Sequence, residues 1–331
     1  MSATPVAPVP ASATPAVATD VLTEGPSPAT RRKPIRQHAT GHGNPWTYIP
    51  LVLLSVTFVL PLLFMIASSL KPRDQILGDL TSWRAFAPIG DLSLDNYIGV
   101  FDRVPVGRFF LVSIIVTVAI VVLGLIVNSM AGFALARLRF PGRKVLLAAI
   151  IATLIVPFET FAIPMVYLVS NLPRVELLSD GFILRQGWAN SYEVLIIPFI
   201  ANAFSIFLFT QYYRAIPKEL DEAARVDGAG WFRIYRTVVS PLAGPAFATC
   251  AILTFLPQWN SYLWPLLVIQ EEDMRPVQVG MRYFFSSGTA DGTPWGEIMA
   301  YTSMITIPVI IVFLLFQRSF ISSIASSGVK G

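Results

Sequence analysis

The sequence predicts an all-α membrane protein with six transmembrane helices and both termini in the cytoplasm. Three observations lead to this fold class: the composition, six long apolar stretches, and the distribution of Lys and Arg between them. Of the 331 residues, 54% are hydrophobic and only 13% are charged, whereas a soluble domain carries about 25% charged residues. The composition therefore indicates a membrane protein before any motif is considered.

The first 45 residues differ in composition from the rest of the chain. Residues 1–30 are rich in Ala, Pro, Thr and Ser, and four basic residues follow between positions 31 and 36. Such a segment cannot bury enough apolar surface to offset its ordering entropy. We therefore expect residues 1–45 to form a disordered cytoplasmic extension. His38 and His42 lie in this polar segment, and we predict no metal site there.

Six apolar stretches follow, and each is long enough to cross a bilayer, which takes about 20 residues. Five of them contain no charged residue, and the third contains only Glu159. Proline removes a backbone hydrogen bond, so we expect kinks at Pro157, Pro257 and Pro308. Residues 46–331 are predicted to form one transmembrane domain. Its predicted spans are residues 46–70, 109–136, 145–170, 194–213, 240–268 and 298–317.

The Lys and Arg residues set the orientation of the spans. If the N-terminus is cytoplasmic, 15 of the 24 Lys and Arg residues fall on the cytoplasmic side. Short cytoplasmic loops carry an excess of these residues. Both termini, and the loop at residues 214–237, are therefore predicted to be cytoplasmic.

The loop at 214–237 has the features of a short helix. Pro217 suits the first helical position, and three acidic residues follow, where the helix dipole favours anions. Gly228 can adopt the left-handed conformation that ends a helix. The pattern predicts a helix within residues 217–228.

One face of this predicted helix carries small side chains. Leu220, Ala223, Ala224 and Asp227 recur at helical spacing and share that face. Small side chains let the surface of another protein come close to the helix backbone. The residues alone favour a solvated connector helix slightly over a docking helix, so both interpretations stay open at this point.

A family resemblance favours the docking interpretation. Glu222-Ala223-Ala224, then Gly228 and the run Val239-Ser240-Pro241-Leu242, resembles the EAA motif of permeases from binding-protein-dependent ABC importers. Ser240 departs from the Leu that many members have before the proline. The resemblance implies that a separate ATPase docks on this loop. The implied docking residues are Leu220, Glu222, Ala223, Ala224, Asp227 and Gly228.

Other segments resemble the carbohydrate branch of these importers, and within it the maltose-type smaller permease. The matching segments are residues 61–71, 134–144, 259–265 and 328–331. The resemblance covers residues 46–331 and implies the type I ABC importer permease fold. Residues 172–190 look longer than the corresponding external loop of the family.

The resemblance also implies partners and a location. It implies an ATPase subunit dimer, a second homologous permease, an extracytoplasmic solute-binding protein and a sugar substrate, at the lipid bilayer of a prokaryotic cell membrane. The chain has no Walker A phosphate-binding loop, so ATP and Mg are expected on the ATPase, with no cofactor or catalytic residue on this chain. No nucleic-acid partner is expected. Glycerol-3-phosphate or another polyol phosphate is the alternative solute.

Polar residues within the spans are candidates for a translocation path, because such residues usually face protein or water rather than lipid. Hydrogen bonding between helices is the alternative role. A secondary transporter, an intramembrane enzyme and a membrane scaffold are rival functions. A secondary transporter fits poorly, because such proteins usually show paired repeats and intramembrane titratable groups, whereas the six spans carry one carboxylate, Glu159, and no Lys, Arg or His. An intramembrane enzyme would need a nucleophile–base pair that the spans lack, and a scaffold would not need the EAA-like loop. The path candidates are Asn128, Glu159, Asn202, Gln258 and Asn260.

Overall fold

The computed structural model describes residues 46, 48–178, 181–286 and 292–328. At residues 175–178, 181–185, 286 and 318–328 it describes the backbone alone. The chain divides into two units, residues 1–54 and 55–331. The described part of the first unit is the start of the first helix. The predicted N-terminal extension, residues 1–45, lies outside the described residues.

The described residues are mainly helical, which confirms the all-α fold class. Short 3-10 segments lie at Trp83–Phe86, Thr153–Ile155 and Glu272–Met274, and a π-helical turn lies at Tyr235–Val239. The α-helices are α1 (Tyr48–Ser69), α2 (Arg73–Asp79), α3 (Asp95–Arg103), α4 (Val106–Arg137), α5 (Arg143–Ala152), α6 (Phe158–Asn171), α7 (Tyr192–Ile200), α8 (Ala203–Ala215), α9 (Glu219–Val226), α10 (Trp231–Ile234), α11 (Ser240–Leu242), α12 (Gly244–Trp259), α13 (Leu263–Val268), α14 (Val277–Gly280), α15 (Arg282–Ser286) and α16 (Trp295–Gly328).

Four stretches of the described chain are long and apolar enough to cross a membrane as single units. They are α1, α4, the segment Tyr192–Ala215 and the segment Trp295–Gln317. They correspond to the first, second, fourth and sixth predicted spans. By length and composition, the count rises to six if each of two bent helix pairs forms one span.

The third predicted span, residues 145–170, is not one continuous helix. The segment Arg143–Ile155 and helix α6 meet at an angle of 105°. The break is at Pro157, since a proline disfavours helical dihedral angles in the residue before it. Val156 is accordingly extended, with φ −84° and ψ 117°. This bend agrees with the kink expected at Pro157.

The fifth predicted span, residues 240–268, is likewise not one continuous helix. The segment Trp231–Leu242 meets α12 at 81°, and Pro245, which has no N–H to donate, stands in the first turn after this break. Helix α12 then ends at Trp259, two residues after Pro257, and α13 is a separate short helix. The kink expected at Pro308 stays a prediction, although Pro308 does lie inside α16.

Helix α4 runs through the whole packed interior of residues 55–331. Its first turns place Phe109 in a core cluster with α3, α12 and α16. Its middle places Ile120 against α6, α7 and α13. Its last turns place Phe133 against α8 and the loop that carries α9. One helix therefore connects the predicted external end of the protein to the predicted docking loop.

A two-stranded antiparallel hairpin, which the sequence analysis did not predict, occupies most of residues 172–190. Strands β1 (Pro173–Leu178) and β2 (Gly181–Gln186) pair with Pro173 opposite Gln186 and Leu178 opposite Gly181. The hairpin lies in the segment that was predicted to be a longer external loop.

Candidate functional site

The predicted loop at 214–237 contains a well-defined helix, α9, with a specific C-terminal cap. Gly228 follows it with φ +79°. The N–H of Ala229 donates to the carbonyl of Ala224 at 2.9 Å, and the N–H of Gly228 donates to the carbonyl of Arg225 at 3.0 Å. This pair of bonds is the Schellman motif, which needs a residue in the left-handed conformation. Gly228 therefore ends the helix as the sequence predicted.

The outer face of α9 is exposed. Leu220 is 41% exposed and Val226 is 88% exposed. Glu222, Ala223, Asp227 and Gly228 are also exposed, whereas Ala224 is half-buried. Five of the six predicted docking residues are thus accessible to a partner, and Ala224 turns towards the protein interior. The sequence analysis did not single out Val226.

The inner face of α9 is fixed by a buried ion pair. The Nε atom of Arg137 lies 2.9 Å from Oδ2 of Asp221, and the two side chains are 2% and 7% exposed. Nη2 of Arg137 also donates to the carbonyl of Ile216 at 2.9 Å. Burial raises the pKa of the Asp221 carboxyl, and the Arg137 guanidinium opposes that shift. The pair joins the last residue of α4 to the first turn of α9.

The sequence pattern does not predict this ion pair, because Asp221 is one of the three acidic residues in the first turns, which the helix dipole alone explains. The available signal was the position of Arg137, the first charge after 28 uncharged residues (109–136) at the end of a predicted span. A charge at that position needs either water or a partner.

Aromatic contacts also attach the docking loop to α4. The hydroxyl of Ser129 lies 2.7 Å from the hydroxyl of Tyr235. The ring of Phe133 packs 5.4 Å from Tyr235 and 6.4 Å from Trp231, centroid to centroid. The guanidinium of Arg225 lies over the ring of Trp231 at 5.1 Å, a favourable cation–π geometry. The loop is therefore anchored along the last two turns of α4.

Asn128 and Asn202, two of the predicted path residues, bond at a helix break. The break separates α7 from α8. The Nδ2 group of Asn128 donates to the carbonyl of Ile200 at 3.0 Å, and its Oδ1 accepts the N–H of Asn202 at 2.9 Å. Asn202 in turn caps α8 by accepting the N–H of Ser205 at 2.9 Å. Asn128 thus satisfies backbone groups that the break leaves without helical partners.

The other three path candidates lie apart from this pair. Glu159 is exposed in the first turn of α6, at the 105° bend. Gln258 lines a cavity of only about 10 Å³, which is too small for a sugar. Asn260 is exposed and accepts a hydrogen bond from Gln278 at 3.0 Å.

Gln278 lines a larger cavity, with a volume of about 470 Å³. Its other lining residues are Tyr262, Met281, Arg282 and Phe285. Asn260 is therefore the path candidate that lies next to a cavity of ligand size.

The family of the chain follows from its match over residues 120–326. This region matches the family described as the binding-protein-dependent transport system inner membrane component. The chain belongs to this family. It is a multi-pass inner-membrane permease of a transport system, and it is a non-catalytic membrane subunit. The predicted resemblance to importer permeases and the predicted membrane location are both confirmed.

Two relatives of the permease share 33% sequence identity with it. One is an arabinooligosaccharides transport system permease protein of Halalkalibacterium halodurans, with 86% of this chain and 95% of the relative covered. The other is an sn-glycerol-3-phosphate transport system permease protein of Salmonella typhi, with 70% and 77% covered. The permease also resembles a chain in the crystal structure of a bacterial ABC transporter involved in the import of the acidic polysaccharide alginate. The two chains share 24% sequence identity and superpose with a TM-score of 0.68. The match covers 82% of the permease and 94% of the solved chain, and it supports the predicted ABC permease fold.

Proposed function

We propose that this permease is one of two homologous membrane subunits of an ATP-driven importer for a sugar. A cytoplasmic ATPase dimer, which carries ATP and Mg, docks on α9. An extracytoplasmic solute-binding protein delivers the sugar to the opposite side of the membrane. The observation that carries the proposal is an exposed helix face, including Ala223 and Val226, on a helix that a buried ion pair attaches to α4.

The geometry of α9 fits a mechanical coupling role. Ala223 presents a small side chain to a partner, so the partner can approach the helix backbone closely. Glu222 is exposed and forms no ion pair with any described residue, so its carboxylate is free to pair with an Arg of the ATPase. Because Asp221 holds the opposite face of α9 to Arg137, a pull on the helix is transmitted to α4.

Transport then proceeds by alternating access. Closure of the ATPase dimer moves α9, and α4 and α8 move with it, because the Arg137–Asp221 pair and the packing around Phe133 join these elements. The spans rock between inward-open and outward-open states about a central path. Asn260 and the cavity at Gln278 are candidate contacts along that path.

Docking is tested by co-purification of the ATPase with tagged full-length permease. Ala223→Arg places a long cation on the exposed face and is expected to abolish ATPase capture and uptake. Ala215→Arg is the matched control, because Ala215 is also exposed but lies outside α9. Normal capture by Ala223→Arg would contradict the docking proposal.

Two further variants test the predicted residues. Glu222→Ala removes the free carboxylate, and Gly228→Pro is incompatible with φ +79° and removes an N–H donor of the cap. Both are expected to uncouple transport while the protein still inserts into the membrane. Undiminished ATPase binding and uptake by both variants would contradict their assigned roles.

The proposed orientation places both termini and α9 in the cytoplasm. Val226→Cys provides a probe, since Val226 is 88% exposed whereas the native Cys250 is fully buried. A membrane-impermeant maleimide is expected to label Val226→Cys in inside-out vesicles and not in right-side-out vesicles. Labelling from the outside would reverse the orientation and exclude ATPase docking on α9.

A sugar is the proposed solute, and a polyol phosphate such as glycerol-3-phosphate is the second candidate. The cavity at Gln278 offers the aromatic rings of Tyr262 and Phe285 with a single amide, a combination that fits a neutral hydroxylated ligand. Arg282 on the same cavity favours the second candidate, because arginine binds phosphate well.

Uptake into proteoliposomes, with the cognate solute-binding protein added, decides between the two solutes. We expect uptake of an oligosaccharide that the solute-binding protein retains, with no competition from glycerol-3-phosphate. Competition by glycerol-3-phosphate, together with loss of uptake in Arg282→Gln, would support the second candidate.

A further inference from the structure

A large basic cavity separates the connection between α4 and α5 from helix α9. Its volume is about 1170 Å³. Six cationic side chains and only two anionic ones, Asp221 and Glu222, line it. The cationic residues are Arg137, Arg139, Arg143, Lys144, Lys218 and Arg225.

Most of this positive charge is not neutralised within the described part of the chain. Of the six cations, only Arg137 forms an ion pair with a described residue. Arg143 donates to the backbone carbonyl of Leu138 at 3.0 Å, which orients it without neutralising it. The cavity is therefore an electrostatic site for an anion.

The floor of the cavity contains a buried guanidinium group with an unused donor. Arg137 is 8% exposed as a residue. Its Nη1 group finds no hydrogen-bond partner among the described residues, although Nη2 bonds to Ile216. A buried N–H donor without a partner is costly, and an anionic oxygen in the cavity would satisfy it.

The remaining walls of the cavity are apolar. Phe140, Val145 and Trp231 are 38%, 72% and 39% exposed and line the same space. The cavity also lies at the ends of two candidate membrane-spanning segments, since Arg137 ends α4 and Arg143 begins the bent pair formed by Arg143–Ile155 and α6; a membrane boundary is expected at this level. Aromatic side chains at this level commonly contact lipid headgroups and the first part of the acyl chains.

We propose that this cavity binds the phosphate headgroup of an anionic phospholipid from the adjacent leaflet. The phosphate oxygens accept hydrogen bonds from Arg143 and from Nη1 of Arg137, and Lys144 and Arg139 supply further positive charge. The glycerol and acyl portions lie against Phe140 and Val145. The bound lipid stabilises the cavity wall that α9 forms, and it thereby sets the position from which α9 engages a partner.

A lipid fits these observations better than an acidic protein segment does. A protein segment would need the basic groups but would not need an apolar wall at the membrane boundary. The docking positions Ala223 and Val226 lie outside the cavity lining, whereas Glu222 lines it, so a bound lipid leaves the small-residue face of α9 free for the ATPase. The proposal therefore goes beyond the docking function and does not depend on the identity of the solute.

The test is native mass spectrometry of the delipidated full-length permease with its co-purified subunits. The complex is titrated with phosphatidylglycerol and with phosphatidylcholine of the same acyl chains. The test variant is Arg139→Gln/Arg143→Gln/Lys144→Gln. The control is Arg214→Gln/Arg233→Gln/Arg236→Gln, which removes the same charge from exposed residues outside the cavity.

We expect native protein and the control to bind phosphatidylglycerol at least about tenfold more tightly than phosphatidylcholine, and the test variant to lose this preference. Equal binding of both lipids by the native protein, or equal loss in both triple variants, would overturn the proposal. Inorganic phosphate that binds as tightly as the lipid would identify a soluble anion as the occupant. Binding of phosphatidylglycerol only after the ATPase has been removed from the complex would identify a segment of the ATPase as the occupant.

Discussion

Nε of Arg137 lies 2.9 Å from Oδ2 of Asp221, and both side chains are almost fully buried. This contact links the end of the longest uninterrupted spanning segment, α4, to the docking helix α9. A buried ion pair stabilises the folded protein little more than an apolar pair of the same shape would. Loss of one partner, however, leaves an uncompensated buried charge. The two residues should therefore depend strongly on each other.

A double-mutant cycle tests this dependence. Arg137→Met and Asp221→Leu are each expected to lower the free energy of unfolding in mild detergent by about 3–5 kcal/mol, because each leaves one buried charge unpaired. The double variant is expected to be more stable than either single variant. Arg139→Met, at an exposed position, serves as the control with little effect. Additive losses in the double variant would show that the two residues act independently.

The hydrogen bonds of Asn128 give a second prediction. Asn128→Ala leaves the carbonyl of Ile200 and the N–H of Asn202 without this partner. Both hydrogen bonds are partly buried, and such a bond contributes about 0.5–1.5 kcal/mol to stability, so a drop in the thermal unfolding midpoint is expected. Asn171→Ala, at an exposed position, should leave the midpoint almost unchanged. An unchanged midpoint combined with a raised KM for uptake would instead place Asn128 on the solute path.

The spans were predictable because their physical signal is strong. The long uncharged runs that became α1, α4 and the span within α16 need only length and composition to be recognised. The breaks were harder to predict, because proline indicates a kink but does not give its size. The breaks of 105° and 81° lie beside Pro157 and Pro245, whereas the kink predicted in the fifth span was at Pro257. The packing of neighbouring helices therefore contributes to the breaks as well as local chemistry.

The docking helix was predictable for a local reason, and its attachment was not. The acidic first turn and Gly228 act within a few residues, so they define α9 from the sequence alone. The partner of Asp221 is 84 positions away at Arg137, and only the three-dimensional fold brings the two together. Asn128 and Asn202 are likewise distant in sequence, and only the fold brings them together. The sequence suggested both for the translocation path, whereas the structure places them at the break between α7 and α8.

A third prediction concerns pH and the segment after α1. Nζ of Lys71 is buried and lies 2.9 Å from Oδ2 of Asp79. This hydrogen bond from Lys71 holds the pKa of the Asp79 carboxyl below its usual value of 3.8. A carboxyl whose pKa is lower in the folded than in the unfolded protein contributes to stability. This contribution is fully present above the unfolded-state pKa and is lost as the pH falls through the folded-state pKa.

The pH prediction is checked with Asp79→Asn. At pH 7 and pH 5 the variant should unfold at a lower temperature than the native protein, by the same margin at both. Below a pH of about 4 the margin should begin to shrink, because the unfolded carboxyl then binds a proton, and it should be lost once the pH falls through the lower folded-state pKa. Asp91→Asn, an exposed acidic residue of the same segment, should show no such pattern. A difference in unfolding temperature that stays constant down to pH 3 would mean that the charge of Asp79 contributes nothing to stability.

The fourth prediction tests the close packing of α4 against α8. A Cβ atom at Gly132 would lie 2.5 Å from Cβ of Phe209 and 3.0 Å from the backbone nitrogen of Thr210. Gly132→Ala is therefore expected to force the helices apart and to lower the free energy of unfolding by about 1–3 kcal/mol. Gly107→Ala is the matched control, because Gly107 lies in the same helix and a Cβ there would meet nothing within 4 Å. That control should raise stability by up to about 1 kcal/mol, since alanine favours the helix over glycine.

Equal stability of the two variants in detergent would show that α4 and α8 do not pack as closely as described. Because α8 leads directly into the docking loop, the same result would also weaken the proposed transmission of movement from α9 to the spans.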